Sequence, residues 1–379
     1  MTLIEASLRI LHLDSGRELR GGQRQLLLLA RGLRARGHDQ LIACPNDGPL
    51  AERARQDGFN VIALSRDASL VPQVAQLRRE VARAGIEILH AHDGRSQTLS
   101  ALSSLGLKAK RIATRRVTFM PGGPRPKIGL HRLQYGPTCD AIVAVSEFIR
   151  NLLVRSGITP AKITVIHDGT EIPAALPDTD ARAAARRQWG VDPDAFAIGH
   201  VGAFTPEKGQ DVLLEAFLQS MPSARYGAAG AMLLLAGEGP ESSSAHMSDL
   251  LSRAGNRVRM TGWIEDLTPF LAALDLYVMP SRAEGLGSSA LLAMAHGLPV
   301  VASRVGGLPE VVEEGATGWL VAPASPSDLA AVLADAASDR QRLRRFGERA
   351  RERAETFSSD IMIQQTESLY LRLTQPDSM

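Results

Sequence analysis

Short apolar runs alternate with longer segments of helical periodicity along the whole chain. Such alternation is typical of a parallel β-sheet that is covered by helices on both faces. In the first half, the pattern predicts a loop at Ser15–Gly22 and a helix over 23–37. The predicted strands of this half lie at 8–14, 40–45, 60–65, 86–92, 110–114, 140–146 and 163–169.

The same alternation begins again after a segment rich in Pro and Asp. Residues 171–180 have little core-forming potential, so they predict a linker. Beyond it the pattern predicts strands at 197–204, 231–237, 258–263, 274–281, 299–303 and 318–323, with helices over 209–220 and 328–338. The sequence therefore predicts an α/β protein of two Rossmann-like, doubly wound domains, 1–174 and 175–359, that face a central cleft in which a ligand binds.

The C-terminal segment carries a second set of apolar residues. A Ser-Ser-Asp sequence at 358–360 predicts a helix N-cap, and the apolar residues after it are too many for a solvated tail. The sequence pattern therefore predicts a packed helix from about residue 360 and leaves open which domain it packs on.

Composition and charge narrow the class of protein. The 379 residues are 44% hydrophobic, and the two cysteines, Cys44 and Cys139, imply no disulfide framework, so a cytoplasmic protein is expected. The N-terminal sequence lacks the apolar core of a signal peptide, and no apolar run has the length of a membrane span.

The two halves differ in charge. Residues 1–170 hold 25 Lys and Arg against 14 Asp and Glu, whereas the remainder holds 18 against 27. The basic half indicates either solvated helix faces or an anionic partner, such as a phosphorylated acceptor, a lipid-linked sugar or the inner face of a membrane. Nucleic acid is not an expected partner, because aromatic residues make up 4% of the chain and do not alternate with the basic ones.

The most specific stretch lies at 281–312 and reads as strand, acidic residue, Gly-rich turn, helix and strand. The turn Gly285–Ser289 would present backbone N–H groups beside a helix N-terminus, which suits phosphate or sugar oxygens. Glu284 precedes the turn, where its carboxylate would bind sugar hydroxyls. The alternative role for Glu284 is a stabilising charge at the helix N-terminus.

This stretch resembles the donor-site signature of the retaining GT-B glycosyltransferases, the bacterial group 1 or family 4 type, which includes phosphatidylinositol mannosyltransferases and sucrose-phosphate synthases. The resemblance covers almost the whole chain. It implies that residues 360–379 form a helix that crosses back to the N-terminal domain, and the alternative is a helix that completes the second domain. The resemblance continues in RELRGGQRQ (17–25), VIHDGTEI (165–172), VGAFTPEKG (201–209), LLLAGEGP (233–240) and TGWIED (261–266). Their order along the chain makes ordinary Rossmann-like turns a poor explanation.

The resemblance implies a role for each matching residue. Lys208 would bind the donor phosphates, and Glu284 would hold the sugar. The other implied donor contacts are the amides of Gly21 and Gly22, Glu238 in the nucleotide pocket, Gly262, Trp263 and Ile264 near the base, and the turn residues Gly285, Leu286, Gly287 and Ser288.

The chain departs from the family pattern at three positions. Leu292 replaces the carboxylate that holds the ribose, Ala203 replaces a phosphate-binding Arg, and Arg116 replaces a His near the donor sugar. We expect Arg115 and Arg116 to supply part of the lost phosphate binding, since a guanidinium can bind two oxygens of a diphosphate at once. The alternative is that both are surface residues after a strand.

A pair of histidines ends another predicted strand. In HAHDGRSQ (90–97), His92 and Asp93 are expected in the cleft, with His92 near the acceptor hydroxyl. The proton of that hydroxyl would pass either to His92 or to the leaving phosphate. His90 and His92 share a strand face, but their spacing brings no third ligand, so no metal site is expected. The Asp-x-Asp pairs lie in the linker and in a turn, at 178–180 and 192–194, so a metal-dependent transferase is disfavoured.

The resemblance implies a hexosyltransferase of polysaccharide biosynthesis that needs no cofactor. It would move a hexose-type sugar from a UDP-, GDP- or ADP-sugar to a glycan, lipid-linked or phosphorylated acceptor, with retention and without a metal. Two other classes stay open. A nucleotide-sugar epimerase would need several acid/base carboxylates in the cleft, and a nucleotide-sugar-binding protein with a degenerate transferase site would fit the three departures.

Overall fold

A computed structural model of the protein describes residues 7–65, 69–118, 135–221 and 230–375. The chain forms two compact units. Residues up to Gly169 together with those from Ser359 onward form unit 1, and Thr170–Ser358 form unit 2. The first division falls before the boundary predicted at 174.

Unit 1 is built on a seven-stranded sheet in which every strand pair is parallel. The strands are β1 (Arg9–Leu13), β2 (Asp39–Pro45), β3 (Asn60–Leu64), β4 (Ile88–Ala91), β5 (Lys110–Arg115), β6 (Ala141–Ala144) and β7 (Ile163–Val165), and their order is β3-β2-β1-β4-β5-β6-β7. Because strand order reverses beside β1, the carboxyl ends of β1 and β4 flank the topological switch point, where ligands of such sheets bind.

Five helices connect these strands within the described residues. They are α1 (Gly21–Ala35), α2 (Pro49–Gln56), α3 (Leu70–Ala84), α4 (Gly94–Ser103) and α5 (Glu147–Arg155). The predicted start of the first helix was late, since α1 begins at Gly21 and not at 23. The Gln23 side chain explains the earlier start, because its Oε1 accepts a hydrogen bond from the Arg20 backbone N at 3.0 Å.

Unit 2 contains a six-stranded sheet, which is again parallel throughout. Its strands are β8 (Phe196–Val201), β9 (Ala231–Ala236), β10 (Val258–Gly262), β11 (Leu276–Met279), β12 (Val300–Ser303) and β13 (Gly318–Val321), in the order β10-β9-β8-β11-β12-β13. Its helices are α6 (Thr179–Trp189), α7 (Gln210–Ser220), α8 (Ala245–Ala254), α9 (Thr268–Ala272), α10 (Ser288–Ala295), α11 (Leu308–Val311), α12 (Pro326–Ser338) and α13 (Arg340–Glu355). The switch point of this sheet lies between β8 and β11.

The predicted linker at 171–180 was too long. Asp178 is the N-cap of α6 and accepts a hydrogen bond from Ala181 N at 2.8 Å. Two arginines of α6 then bind one partly buried carboxylate, with Arg182 at 2.8 Å and Arg186 at 2.7 Å from Asp275. The end of the predicted linker is therefore an integral helix of unit 2.

The last helix, α14 (Ser359–Thr374), packs in unit 1. Its Met362, Ile363, Leu369 and Tyr370 are buried in the same core cluster as residues of β1, β4, β5 and β6. Glu367 accepts hydrogen bonds from His38 at 2.9 Å and from Arg36 at 2.7 Å. None of the helices in the described parts of the chain is long and apolar enough to cross a bilayer.

Candidate functional site

Lys208 and Glu284 meet at the switch point of unit 2. Lys208 ends the short 3₁₀ turn after β8, and Glu284 follows β11. Lys208 Nζ lies 2.6 Å from Glu284 Oε2, and the two side chains are 25% and 14% exposed. The structure therefore joins two predicted site residues in one half-buried ion pair, which the sequence did not predict.

The turn after Glu284 leads directly into α10. Gly287 has a φ of 109°, and a Cβ there would lie 2.5 Å from Leu308 Cδ2, so only glycine suits this position. Ser288 begins the helix, and no acidic residue stands in its first turn. The predicted turn residues Gly285, Leu286 and Gly287 therefore hold the positive end of a helix beside the ion pair.

The loops after β8, β9 and β10 are hydrogen-bonded to one another. Phe204 N donates to Glu238 O at 2.9 Å, and Gly237 N donates to Gly262 O at 2.8 Å. Glu238 Oε1 accepts from Trp263 N at 3.3 Å, and the Trp263 side chain is half-exposed, with Ile264 beside it in sequence. Unit 2 thus brings the predicted nucleotide-pocket residues to the same edge of the sheet as Lys208.

Leu292 lies in α10 one turn beyond Ser288 and is partly exposed. Ala203 is also partly exposed, in the loop after β8, where its carbonyl accepts a hydrogen bond from Gln210 at 2.9 Å. Both departures from the family pattern therefore lie at the carboxyl edge of the sheet, on the elements that carry the predicted donor contacts.

Three histidines gather at the switch point of unit 1. His12 of β1 lies opposite His90 of β4 in the strand register, and His92 follows β4. Their ligand-type nitrogens all lie within 4.8 Å of one another, and all three rings are buried. The expectation that no third histidine accompanies His90 and His92 was wrong, because the parallel neighbour β1 supplies His12.

Burial keeps these histidines neutral. It lowers the pKa of His12 to about 4, although a hydrogen bond with Gln40 acts in the opposite direction. Burial also lowers the pKa of His90 and of His92 well below the usual value, and the neighbouring rings and Arg116 add to that effect. The rings therefore carry no charge at neutral pH.

The cluster is a hydrogen-bonded network in which each ring nitrogen has a partner. His90 Nδ1 lies 2.5 Å from Tyr370 Oη and its Nε2 lies 2.6 Å from Thr114 Oγ1. A metal ion would have to replace these bonds and would stand beside the guanidinium of Arg116, which lies 3.2 Å from His92 Nδ1. The surroundings favour hydrogen bonding over metal binding at this cluster.

Arg116 and Arg115 have separate environments. Arg116 Nε donates to Asp168 Oδ1 at 2.9 Å, and a Cβ on Gly22 would lie 3.7 Å from Arg116 Cδ. Arg115 is buried and donates to Tyr135 Oη at 3.2 Å. The two guanidinium groups therefore have different partners. Arg116 lies near Gly22 at the start of α1, so its role in phosphate binding stays a prediction, whereas the burial of Arg115 disfavours the phosphate contact that was predicted for it.

Asp93 is not a free cleft carboxylate, contrary to the sequence prediction. Its oxygens accept hydrogen bonds from Ser15 N at 2.6 Å, Ser15 Oγ at 2.8 Å, Arg95 N at 2.9 Å, Ser96 N at 3.0 Å and Ser96 Oγ at 2.5 Å. It caps α4 and anchors the loop after β1. Five donors leave little capacity for a substrate.

Asp14 is a buried carboxylate at the switch point of unit 1 that the sequence pattern did not single out. It follows β1, is 1% exposed, and its Oδ1 accepts from Gly16 N at 2.8 Å and from Gln23 Nε2 at 2.9 Å. Burial, followed by the neighbouring charge of Asp93, raises its pKa to about 6 despite these hydrogen bonds. An Asp directly after a switch-point strand was the available signal.

Two family models match the chain, one on each half. "Glycosyltransferase Family 4" matches residues 19–172, and "Glycosyl transferases group 1" matches residues 195–339. Together the two matches cover most of the predicted site residues of both units.

Curated relatives and solved structures agree with these models. A D-inositol 3-phosphate glycosyltransferase of Streptomyces bingchenggensis is 32% identical over 243 residues, which are 61% of this chain and 52% of that protein, so the chain spans about half the length of such relatives. A GDP-mannose-dependent α-(1-6)-phosphatidylinositol monomannoside mannosyltransferase of Mycolicibacterium smegmatis is 28% identical over 86% of this chain and 88% of its own.

The structure of Anabaena HepE in complex with UDP shares the fold. It superposes with a TM-score of 0.83 at 23% identity, over 96% of this chain and 99% of HepE. Two parallel Rossmann-like sheets and the two matching models give one classification: the chain belongs to the group 1, family 4 glycosyltransferases and has the GT-B fold.

Proposed function

We propose that the protein transfers a hexose-type sugar from a nucleotide-sugar donor to a phosphorylated, lipid-linked or glycan acceptor, with retention and without a metal ion. The observation that carries this proposal is the Lys208–Glu284 ion pair at the N-terminus of α10. It combines a cation for a leaving phosphate with a carboxylate for sugar hydroxyls, and the N-terminus of α10 begins four residues after Glu284, with no side-chain cap.

The chemical problem is to break the bond between the anomeric carbon and a diphosphate. As this bond breaks, negative charge grows on the leaving oxygen, so a fixed cation lowers the barrier. Lys208 is held in place by Glu284, so little reorganisation is needed when the donor phosphate arrives. Glu284 then exchanges part of its bond to Lys208 for hydrogen bonds from the sugar.

Arg116 is the candidate anion-binding group of unit 1. Asp168 and His92 each accept a hydrogen bond from it, at 2.9 Å and 3.2 Å, which fixes the plane of its guanidinium. The nearby α1 N-terminus has no acidic residue in its first turn, so both features favour a negatively charged ligand. The excess of basic residues in the first half of the sequence supports the same preference and, as a further proposal, peripheral contact with an anionic membrane surface from the cytoplasmic side.

The names of the relatives support the donor and acceptor classes. HepE is described in complex with UDP, and the Mycolicibacterium relative as GDP-mannose-dependent. Two relatives are named for phosphorylated inositol acceptors. We therefore favour a phosphorylated polyol or its glycolipid as acceptor, in the assembly of a surface glycan.

Retention and metal independence rest on the site chemistry and the family. A front-face reaction needs no covalent carboxylate nucleophile: the acceptor oxygen forms its bond to the anomeric carbon while the diphosphate departs from the same side. The acceptor proton passes to the departing phosphate oxygen. Lys208 supplies positive charge that a divalent ion supplies in metal-dependent transferases.

One competing function has a specific observation in its favour. Leu292 offers no hydrogen-bonding group to a ribose, which suits a binding protein with a degenerate site. Calorimetric titration and turnover assays with UDP-, GDP- and ADP-sugars separate these classes of protein. A transferase consumes the donor only when inositol phosphate or a glycan acceptor is added. An epimerase consumes the donor without an acceptor, and a binding protein does not consume it. The anomeric coupling constant of the product tests retention, and an inverted product would refute it.

A further inference from the structure

A continuous line of hydrogen bonds runs through the core of unit 1 to Arg116. Gln40 Nε2 donates to Ala30 O at 2.8 Å, and His12 Nε2 lies 3.0 Å from Gln40 Oε1. His12 Nδ1 lies 3.1 Å from His92 Nε2, and His92 Nδ1 lies 3.2 Å from Arg116 Nη1.

The two ends of this line fix its direction. The Ala30 carbonyl only accepts, so Gln40 turns its NH₂ group toward it and its Oε1 toward His12. A guanidinium only donates, so His92 Nδ1 must offer a lone pair to Arg116. Each link between these ends then has one possible donor: His12 Nε2–H donates to Gln40, and His92 Nε2–H donates to His12.

From this polarity we infer that His12 and Gln40 are positioning residues for Arg116. His92 is a neutral imidazole with its proton on Nε2, and its Nδ1 accepts a hydrogen bond from Arg116. It is therefore not the base that deprotonates the hydroxyl of the sugar acceptor. The only lone pair on the ring of His92 faces a cation. Adding a proton there would place two donors against each other at 3.2 Å. This replaces the role that the sequence suggested for His92.

The positioning has a direct geometric effect. Asp168 accepts from Nε and His92 accepts from Nη1, so two sides of the guanidinium are held. Among the described residues, no acceptor of a hydrogen bond from Nη2 accompanies these two, which leaves that nitrogen for a ligand anion. The anion-binding part of this inference rests on the proposed function, whereas the tautomers do not.

Nitrogen-15 NMR of the full-length protein, labelled at histidine, reads the tautomers directly. We expect His12 and His92 to show a protonated Nε2 and an unprotonated Nδ1 at pH 7, with signals assigned from His12→Gln and His92→Gln spectra. A protonated Nδ1 or an imidazolium at either residue would overturn the inference, even if the protein proved to have no transferase activity.

A matched pair at His12 tests the effect on anion binding, with UDP as the probe. Glutamine at position 12 can accept through Oε1 and donate through Nε2, as the neutral imidazole does, whereas leucine can do neither. We expect the Kd for UDP to stay within about twofold of wild type in His12→Gln and to rise at least about fivefold in His12→Leu. Equal affinities in both variants would refute positioning, and a wild type that binds no UDP would refute the donor proposal alone.

Discussion

Replacing Asp14 with Asn should stabilise the protein at neutral pH and lose that benefit in acid. In the folded protein, burial and the neighbouring Asp93 raise the pKa of Asp14 from 3.8 to about 6. A carboxyl group whose pKa is higher in the folded than in the unfolded state destabilises the fold when it ionises. At a pH below both pKa values Asp14 is protonated in both states and costs no stability, whereas at a pH above the folded-state pKa the full cost is present.

The size of the effect follows from the shift. About two pKa units correspond to about 3 kcal/mol, which is the expected penalty at pH 7.5, and the same relation gives about 1 kcal/mol at pH 4.5. Asparagine keeps the oxygen that accepts from Gly16 and Gln23 and removes the charge. The gain in the free energy of unfolding should therefore approach, and not exceed, these values.

Hydrogen exchange of the β1 amides in unit 1, followed across pH, measures the difference without assuming that both units unfold together. Asp93→Asn is the matched control, because five donors surround that carboxylate and its loss should destabilise at both pH values. An Asp14→Asn protein that is less stable than wild type at pH 7.5, or equally stabilised at both pH values, would refute the reasoning.

Four further predictions concern the proposed reaction and the last helix. Lys208→Met should lower kcat/KM at least about 100-fold, because the positive charge that stabilises the leaving phosphate is lost. The control variant Arg282→Met, which removes a cation that is paired with Asp211, should keep kcat/KM within about twofold of wild type. A Lys208 variant within threefold of wild type would remove that residue from the mechanism. Leu292→Glu should tighten UDP binding in calorimetry by restoring a ribose acceptor, and a folded variant with unchanged or weaker affinity would mean a rebuilt pocket. Incubation with EDTA should leave turnover unchanged, and a loss reversed by Mg²⁺ or Mn²⁺ would contradict the metal-free proposal. Tyr370→Phe should destabilise unit 1 by about 1–3 kcal/mol in hydrogen exchange, because His90 Nδ1 would be left without its partner; full protection in that variant would show the contact to be unimportant.

The features that the sequence predicted well depend on local patterns. The alternation of apolar runs and helical periodicity located the strands of both sheets, because strands buried on both faces read as continuous apolar runs. The motif around Glu284 was recognisable because a strand, a Gly-rich turn and a helix follow one another directly in the chain. The ends of elements were less certain, since side chains such as Gln23 and Asp178 decide where α1 and α6 begin.

The features that the sequence missed depend on which strands become neighbours. His12 stands more than seventy residues before His90, and only the pairing of β1 with β4 brings their rings together. Arg115 and Arg116 have different hydrogen-bond partners, Tyr135 and Asp168, because successive side chains of a strand point to opposite faces of the sheet. Nothing in the local sequence distinguishes Asp93 as a cap from Asp14 as the carboxylate with a raised pKa.

The division of unit 1 into two distant stretches of sequence has a consequence during synthesis on the ribosome. Four buried residues of its core belong to α14, so the sheet of unit 1 emerges long before the helix that covers it. At about 5–20 residues per second, the ribosome needs roughly ten to forty seconds to make the intervening unit 2, which is continuous and can fold as soon as it emerges. Throughout that interval the nascent first half presents an uncovered apolar surface. The yield of the full-length protein in the cell should therefore depend on chaperones that bind nascent chains. The yield of unit 2 expressed alone should depend on them less.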